Sequence, residues 1–275
     1  MKRTYITIYL CIITTFNHGA TFIFDLDGVL VHKSSIRASY QIGPSRFLGW
    51  YNPFQIKQKL FTFFDLIAPH DGSIPEVCYA KKHMPLLLCQ WLMGLRTTKQ
   101  IRRFLKDSFE KYKAFFSNER EQKLAYAIAM CIFKPYKMSQ VIVPHKKGIR
   151  LFKKIAGQKD ELGQSLHKLY ILSNWDCESF QILAQHRKLQ KIFTRCDGYV
   201  ISGFVQLMKP DPRIFEYTFE RHVIDPDKEL TFYLDDQLQN IESAASLGKK
   251  KLVCLHCKNG KFKTAKRKLR ELNII

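Results

Sequence analysis

Four short apolar runs, each breaking off abruptly into polar residues, set the rhythm of the chain. Residues 21–24 are uninterrupted and β-rich and stop at Asp25-Leu26-Asp27-Gly28. Residues 169–172 end at Ser173-Asn174, residues 231–234 at Asp235-Asp236, and residues 251–255 lead into a basic tail. Strands that are apolar on both faces suit a parallel sheet covered on both sides. Between them, apolar positions recur at helical spacing over 149–155, 178–189, 213–221 and 241–247, with Gly248 closing the last as a C-terminal cap. This alternation predicts an α/β fold, a doubly wound (Rossmann-like) parallel sheet. In such sheets ligands collect at the carboxyl ends of the strands, where the polar clusters fall.

The pattern changes between His32 and Lys147. Residues 85–104 and 118–133 carry apolar positions at helical spacing, with Pro135 ending the second run, while aromatics are frequent and strand alternation is scarce. The expected organisation is a helical insertion over 33–147 within an α/β core made of 21–32 and 148–275.

Composition narrows the class. At 275 residues with 46% hydrophobic and 25% charged positions, the chain can bury a sizeable core, which excludes wholesale disorder. Its eight cysteines are irregularly spaced, and several sit in apolar surroundings, so buried free thiols are expected rather than a disulfide scaffold. Cys254 and Cys257 form a C-x-x-C without the second ligand pair that zinc needs. At the N-terminus, Lys2 and Arg3 precede thirteen uncharged residues and then Asn17-His18-Gly19-Ala20. That is the order of a secretory signal over residues 1–20, with cleavage before Thr21. The expectation is an exported (periplasmic or secreted) protein, with a cytoplasmic one as the alternative. The apolar run is short for a membrane span, and no integral membrane segment is expected in the mature chain.

The chemistry concentrates at the strand ends. If the chain stays extended through Leu26, Asp25 and Asp27 project to the same side, and Gly28 permits the tight backbone that follows. Close carboxylates repel and call for a cation or a shared proton. Asp235 and Asp236 would complete an oxygen-ligand site for Mg²⁺. Lys209, held before Pro210-Asp211-Pro212, would neutralise a phosphate and a nucleophilic carboxylate together. Asp235 and Asp236 also suit a helix cap, His145-Lys146-Lys147 reads as a solvated bend, and Trp175 serves equally as packing or pocket wall.

In this order the motifs resemble those of the haloacid dehalogenase superfamily: Phe24-Asp25-Leu26-Asp27-Gly28-Val29-Leu30, Ser173-Asn174, Lys209 within residues 201–215, and Leu234-Asp235-Asp236 with Asn240 and Gly248 following. The likeness covers roughly 21–33 and 141–258. It implies that Asp25 forms an aspartyl-phosphate and that Asp27 protonates the leaving alcohol and then activates water. It also implies that Ser173 and the backbone at Asn174 hold phosphoryl oxygens, with Lys209 offsetting charge. Mg²⁺ would be held by Asp25, the Asp27 carbonyl and Asp236, with Asp235 direct or through water. The acid at Asp27 points to phosphoryl transfer rather than dehalogenation. The insertion falls where the family carries a helical cap, which chooses the substrate and excludes water.

These readings converge on a Mg²⁺-dependent phosphomonoester hydrolase acting on a small phosphorylated metabolite. A phosphomutase of the same superfamily, or a catalytically silent basic protein binding nucleic acid or phosphorylated partners, are the alternatives. The formal net charge is +21. Between His32 and Lys147 there are twenty basic and seven acidic residues, so the insertion carries much of the excess. A basic lid would steer anionic esters, and the lysine-rich tail over 258–270 reads as a solvated helix face rather than a nucleic-acid site.

Overall fold

The computed structural model describes residues 19–48, 53–70, 72–79 and 84–275. The proposed leader over 1–20 lies outside the described residues except for Gly19 and Ala20, and these two belong to the fold. The buried Ala20 donates its N–H to His167 Nδ1 at 3.0 Å, and its carbonyl accepts from the Lys168 N–H at 3.1 Å. A cut immediately before Thr21 would remove both bonds.

Strand β1 (Thr21–Phe24) leads through a bend into β2 (Val31–Lys33). There follow helices α1 (Ser35–Ile42), α2 (Pro53–Ile67), α3 (Glu76–Tyr79), α4 (Leu86–Leu92), α5 (Thr98–Lys111), α6 (Glu119–Ile132) and α7 (Pro135–Val141). Strand β3 (Ile142–Pro144) returns antiparallel to β2, Val31 facing Pro144 and Lys33 facing Ile142. The helical segment therefore stands on a two-stranded stem. Alternation then begins: α8 (Lys146–Ala156), β4 (Lys168–Ser173), α9 (Cys177–Ala184), α10 (Arg187–Phe193), β5 (Gly198–Ile201), α11 (Ser202–Val205), α12 (Pro212–Arg221), β6 (Thr231–Asp235), α13 (Leu238–Ser246), β7 (Leu252–His256) and α14 (Lys263–Glu271).

The main sheet is parallel, in the order β5-β4-β1-β6-β7. The α/β doubly wound reading therefore holds. Side chains alternate between two buried faces. Phe22, Phe24, Ile171, Phe232 and Leu234 enter one apolar cluster, which Phe152 of α8 and Leu269 of α14 close. Ile23, Tyr170, Leu172 and Tyr233 enter the other, covered by Phe215 and Phe219 of α12 and Ala244 of α13. Each fully buried phenylalanine contributes about 1.5–3 kcal/mol, and this double-sided burial makes the central strands read as continuous apolar runs.

Local signals shift several boundaries. The predicted run over 178–189 is two helices, broken around Gln185 and His186. The run over 85–104 is likewise two, because a turn after Leu92 resets the chain before Thr97, which caps α5 with a reciprocal Gln100 bond. Pro135 does not merely stop the preceding helix; it opens α7 in the first turn, where its missing N–H costs nothing. Gly248 follows α13 at a φ of 66°, the left-handed conformation of a helix stop.

The inserted helices have a core of their own. Phe63, Phe109 and Phe116 pack together, with ring centroids 4.6 Å and 5.2 Å apart for the pairs Phe63–Phe109 and Phe109–Phe116. Met208, from the loop before Lys209, is buried in this same cluster. Cys78, Cys89 and Cys131 are buried free thiols of the insertion. No helix among the described residues is long and apolar enough to cross a membrane.

Candidate active site

Sheet register assembles the site. Phe24 lies opposite Ile171 on one side and Leu234 on the other, so β1, β4 and β6 end together. The Asp25 N–H continues the ladder by donating to the Leu234 carbonyl at 2.8 Å. Asp25, Ser173, Asp235 and Asp236 therefore emerge at one edge of the sheet, at the carboxyl ends of neighbouring strands.

Asp25 is 4% exposed. Its Oδ1 accepts from Ser173 Oγ at 3.1 Å and from Lys209 Nζ at 2.9 Å. The Lys209 ammonium, itself 2% exposed, also donates to the Leu172 carbonyl at 3.0 Å and to Asp235 Oδ2 at 2.6 Å. Burial alone would lower its pKa, but the charges of Asp235 and Asp25 and their hydrogen bonds outweigh that and hold it above the ordinary lysine range. Burial drives the Asp25 carboxyl well above its usual range; Lys209 opposes this, while Asp235 and Asp236 reinforce it.

The two acids at the end of β6 have different settings in the geometry. Asp235 is completely buried and fully engaged. Besides Lys209 it accepts from the Tyr233 hydroxyl, from Asn240 Nδ2 at 3.1 Å and 3.0 Å, and from the Gln237 N–H at 2.8 Å. Asp236 has a buried Oδ1 with no hydrogen-bond partner. Its pKa is pushed up to about 6, first by burial and then by the charges of Asp235 and Asp27. Gly28 makes room for it: with φ at 81°, a Cβ there would fall inside the Asp236 carboxylate.

Asp25, Asp235 and Asp236 each bring one carboxylate oxygen within 4.8 Å of the others. Three carboxylates against one ammonium, with one oxygen orphaned in a buried setting, fit a hard divalent cation such as Mg²⁺. Asp236 brings the unpartnered oxygen to this group of three, while Asp235, a member of the same group, also holds Lys209.

The extended path through Leu26 is replaced by a bend before Asp27. The chain bends at Leu26, whose carbonyl accepts from the N–H groups of both Leu30 and Val31. Asp27 lies just past that bend, close enough to Asp236 for its charge to help raise the Asp236 pKa. Its carboxylate pairs with the Lys33 ammonium on the stem strand β2. That ammonium also stands 5.7 Å from the centre of the Trp175 ring. Trp175 is buried, and its indole Nε1 has no hydrogen-bond partner. Neither Lys33 nor Tyr233 has a periodicity or spacing that marks it in sequence; both enter through the bend and the register.

Asn174, whose backbone is expected to hold a phosphoryl oxygen, has a separate task for its side chain. Its side chain donates to the Lys209 carbonyl at 2.8 Å and accepts from the Lys209 N–H at 2.9 Å. This pair of bonds clamps the loop that delivers the ammonium. His145 caps α8, with Nδ1 accepting from the Gly148 N–H at 3.2 Å, and forms no part of the acidic cluster.

No family model matches the chain, and no curated protein matches it. Solved structures do. A haloacid dehalogenase (HAD) family enzyme from Bacteroides thetaiotaomicron aligns with a TM-score of 0.57 at 18% identity, over 91% of this chain and 98% of its own. The wild-type form of that enzyme in complex with magnesium and inorganic phosphate gives 0.53 at 19%, over 88% and 96%. A HAD-like family hydrolase from Porphyromonas gingivalis gives 0.53 at 16%, over 92% and 98%. At these identities the likeness is one of fold: the chain has the haloacid dehalogenase-like fold.

Proposed function

We propose that this chain is a phosphoric monoester hydrolase working through an aspartyl-phosphate on Asp25, with the helices between β2 and β3 serving as its cap over a core formed by the rest of the fold. The observation that carries the reading is the buried Asp25 carboxylate, held from one side by Ser173 and Lys209 beside the unpartnered oxygen of Asp236. A nucleophilic carboxylate needs such donors to keep it aimed, and a phosphoryl group needs their positive charge.

The proposed sequence is a double displacement. Asp25 attacks phosphorus, an Asp25 oxygen–phosphorus bond forms, and the ester oxygen leaves with a proton from Asp27. Water then attacks the aspartyl-phosphate, Asp27 takes its proton, and inorganic phosphate leaves with Asp25 restored. Lys209 offsets the charge that gathers on the phosphoryl oxygens, and the Asn174 clamp and Asp235 hold it in place. For Asp27 to act, its pair with Lys33 must open. Mg²⁺, on Asp25, Asp236 and the carbonyl of Asp27, would supply further neutralisation of the phosphoryl charge. The magnesium and phosphate bound by the Bacteroides enzyme of the same fold support this choice.

A panel of phosphate esters, assayed with and without Mg²⁺, tests the reading. The expected result is metal-dependent phosphate release that Asp25→Asn abolishes. Equal release by the variant would overturn the role of Asp25.

We also propose export. The signal-like order of residues 1–18 supports it, with the cut placed upstream of Ala20, whose N–H and carbonyl bond to His167 and Lys168. N-terminal sequencing of protein from its native host tests this; an intact Met1 would count against it.

A further inference from the structure

Helices α8 and α14, far apart in sequence, lie side by side and run in the same direction. At their N-terminal ends the His145 and Phe262 rings are 5.4 Å apart. Just past their C-terminal ends, Gln158 Nε2 donates to the Ile274 carbonyl at 2.6 Å. Between these points both helices bury apolar faces in one cluster, Leu151, Phe152 and Ile155 from α8 and Ala265 and Leu269 from α14.

The outward faces are almost wholly cationic. On α8, Lys146, Lys147, Arg150, Lys153 and Lys154 are all exposed, with no acid on the helix. On α14, Lys263, Arg267, Lys268 and Arg270 are exposed and Lys266 is half-buried. The single acid on either helix is Glu271, at 3.6 Å from Arg267 and 3.8 Å from Lys268. Taken alone, the tail is a solvated helix. Joined to α8, it forms a strip of ten cations facing one carboxylate, and self-repulsion on that scale calls for a polyanion.

We propose that this strip binds the phosphate backbone of double-stranded nucleic acid without reading its sequence. The two helices, at 1.5 Å per residue, run for roughly 13–16 Å, and a duplex presents about nine phosphate charges over the longer length. Neither helix exposes a large apolar or aromatic side chain among the described residues. The strip therefore has neither the wedge that an interfacial membrane helix inserts nor the stacking platform of a single-strand binder. Arg150, Arg267 and Arg270 add forked donors suited to phosphate oxygens. The strip is built on α8 and α14, not on the acidic cluster.

The test is fluorescence anisotropy of a labelled mixed-sequence duplex against the full chain over a salt series. Two variants of equal charge change are compared: Lys153→Glu/Lys154→Glu/Arg267→Glu/Arg270→Glu on the strip, and Lys99→Glu/Arg102→Glu/Arg103→Glu/Lys106→Glu on exposed positions of α5. Circular dichroism melting confirms that both are folded. Binding is expected to weaken with salt, and the strip variant to bind at least tenfold more weakly than the α5 variant. Its log–log salt slope should flatten by about 3.6 units for four lost contacts. Equal weakening by both variants would reduce the effect to overall charge and overturn the proposal. So would absence of duplex binding, including the case in which vesicles containing phosphatidylserine bind the strip instead.

Discussion

The Lys209 ammonium lies 2.6 Å from the Asp235 carboxylate, with both side chains essentially sealed from solvent. Removing Asp235 would leave a buried cation short of its nearest counter-charge. Asp235→Ala is expected to cost about 3–5 kcal/mol in urea unfolding. Asp235→Asn keeps the shape but weakens the hold on Lys209; kcat should fall on the order of 100-fold with little change in KM. Steady-state kinetics on whichever ester the panel identifies checks this.

Gly28 is where backbone and metal chemistry meet. Gly28→Ala places a methyl group into the Asp236 carboxylate at a φ of 81°, a conformation costing about 1–3 kcal/mol for a residue with a side chain. The variant should unfold earlier, and its response to Mg²⁺ in calorimetry should be lost or strongly weakened.

Mg²⁺ itself should stabilise the fold. At a concentration 100 times its Kd, a ligand bound only by the native state adds about 2.7 kcal/mol. Thermal melting should shift upward with Mg²⁺ and return on chelation, and Asp236→Asn should remove most of that shift. An unchanged shift in the variant would move the ligand role away from Asp236.

Asp176 offers a pH test away from the acidic cluster. Its carboxyl is buried, and burial pushes its pKa up to about 6 despite the bond it accepts from the Ser179 N–H. A raised folded-state value means that the native state holds the proton more tightly than the unfolded chain. Its contribution is therefore full below the ordinary value near 3.8 and is lost as pH rises through about 6. The loss is on the order of 2–3 kcal/mol. Asp176→Asn, which keeps the helix cap, should flatten that part of the stability profile in urea titrations between pH 4 and 7.

The parts of the site legible in sequence are those carried by strand ends. Asp25, Ser173, Asp235 and Asp236 follow apolar runs whose burial on both faces leaves little ambiguity, and parallel register then brings them together. The setting of Asp27 was less legible, because neither the bend at Leu26 nor the pair with Lys33 has a compositional sign. The edge strand β5 is only four residues long, partly solvated, and carries no alternating pattern to distinguish it. Helix α1 escaped for a related reason: none of its residues is buried, so no apolar periodicity betrays it. Asn174 is marked in sequence by its position beside Ser173, yet its bonds to Lys209 depend on a loop arriving from 35 residues away.

The stem beneath the helical insertion ties access to reactivity. Lys33 sits on β2, and its ammonium holds the Asp27 carboxylate. The first strand of the stem thus grips the acid proposed to protonate the leaving group. On the other side, Met208 anchors the loop of Lys209 in the core of the same insertion. Tilting those helices would therefore move the partner of Asp27 and the loop of Lys209 together, so the insertion and these two groups are mechanically linked.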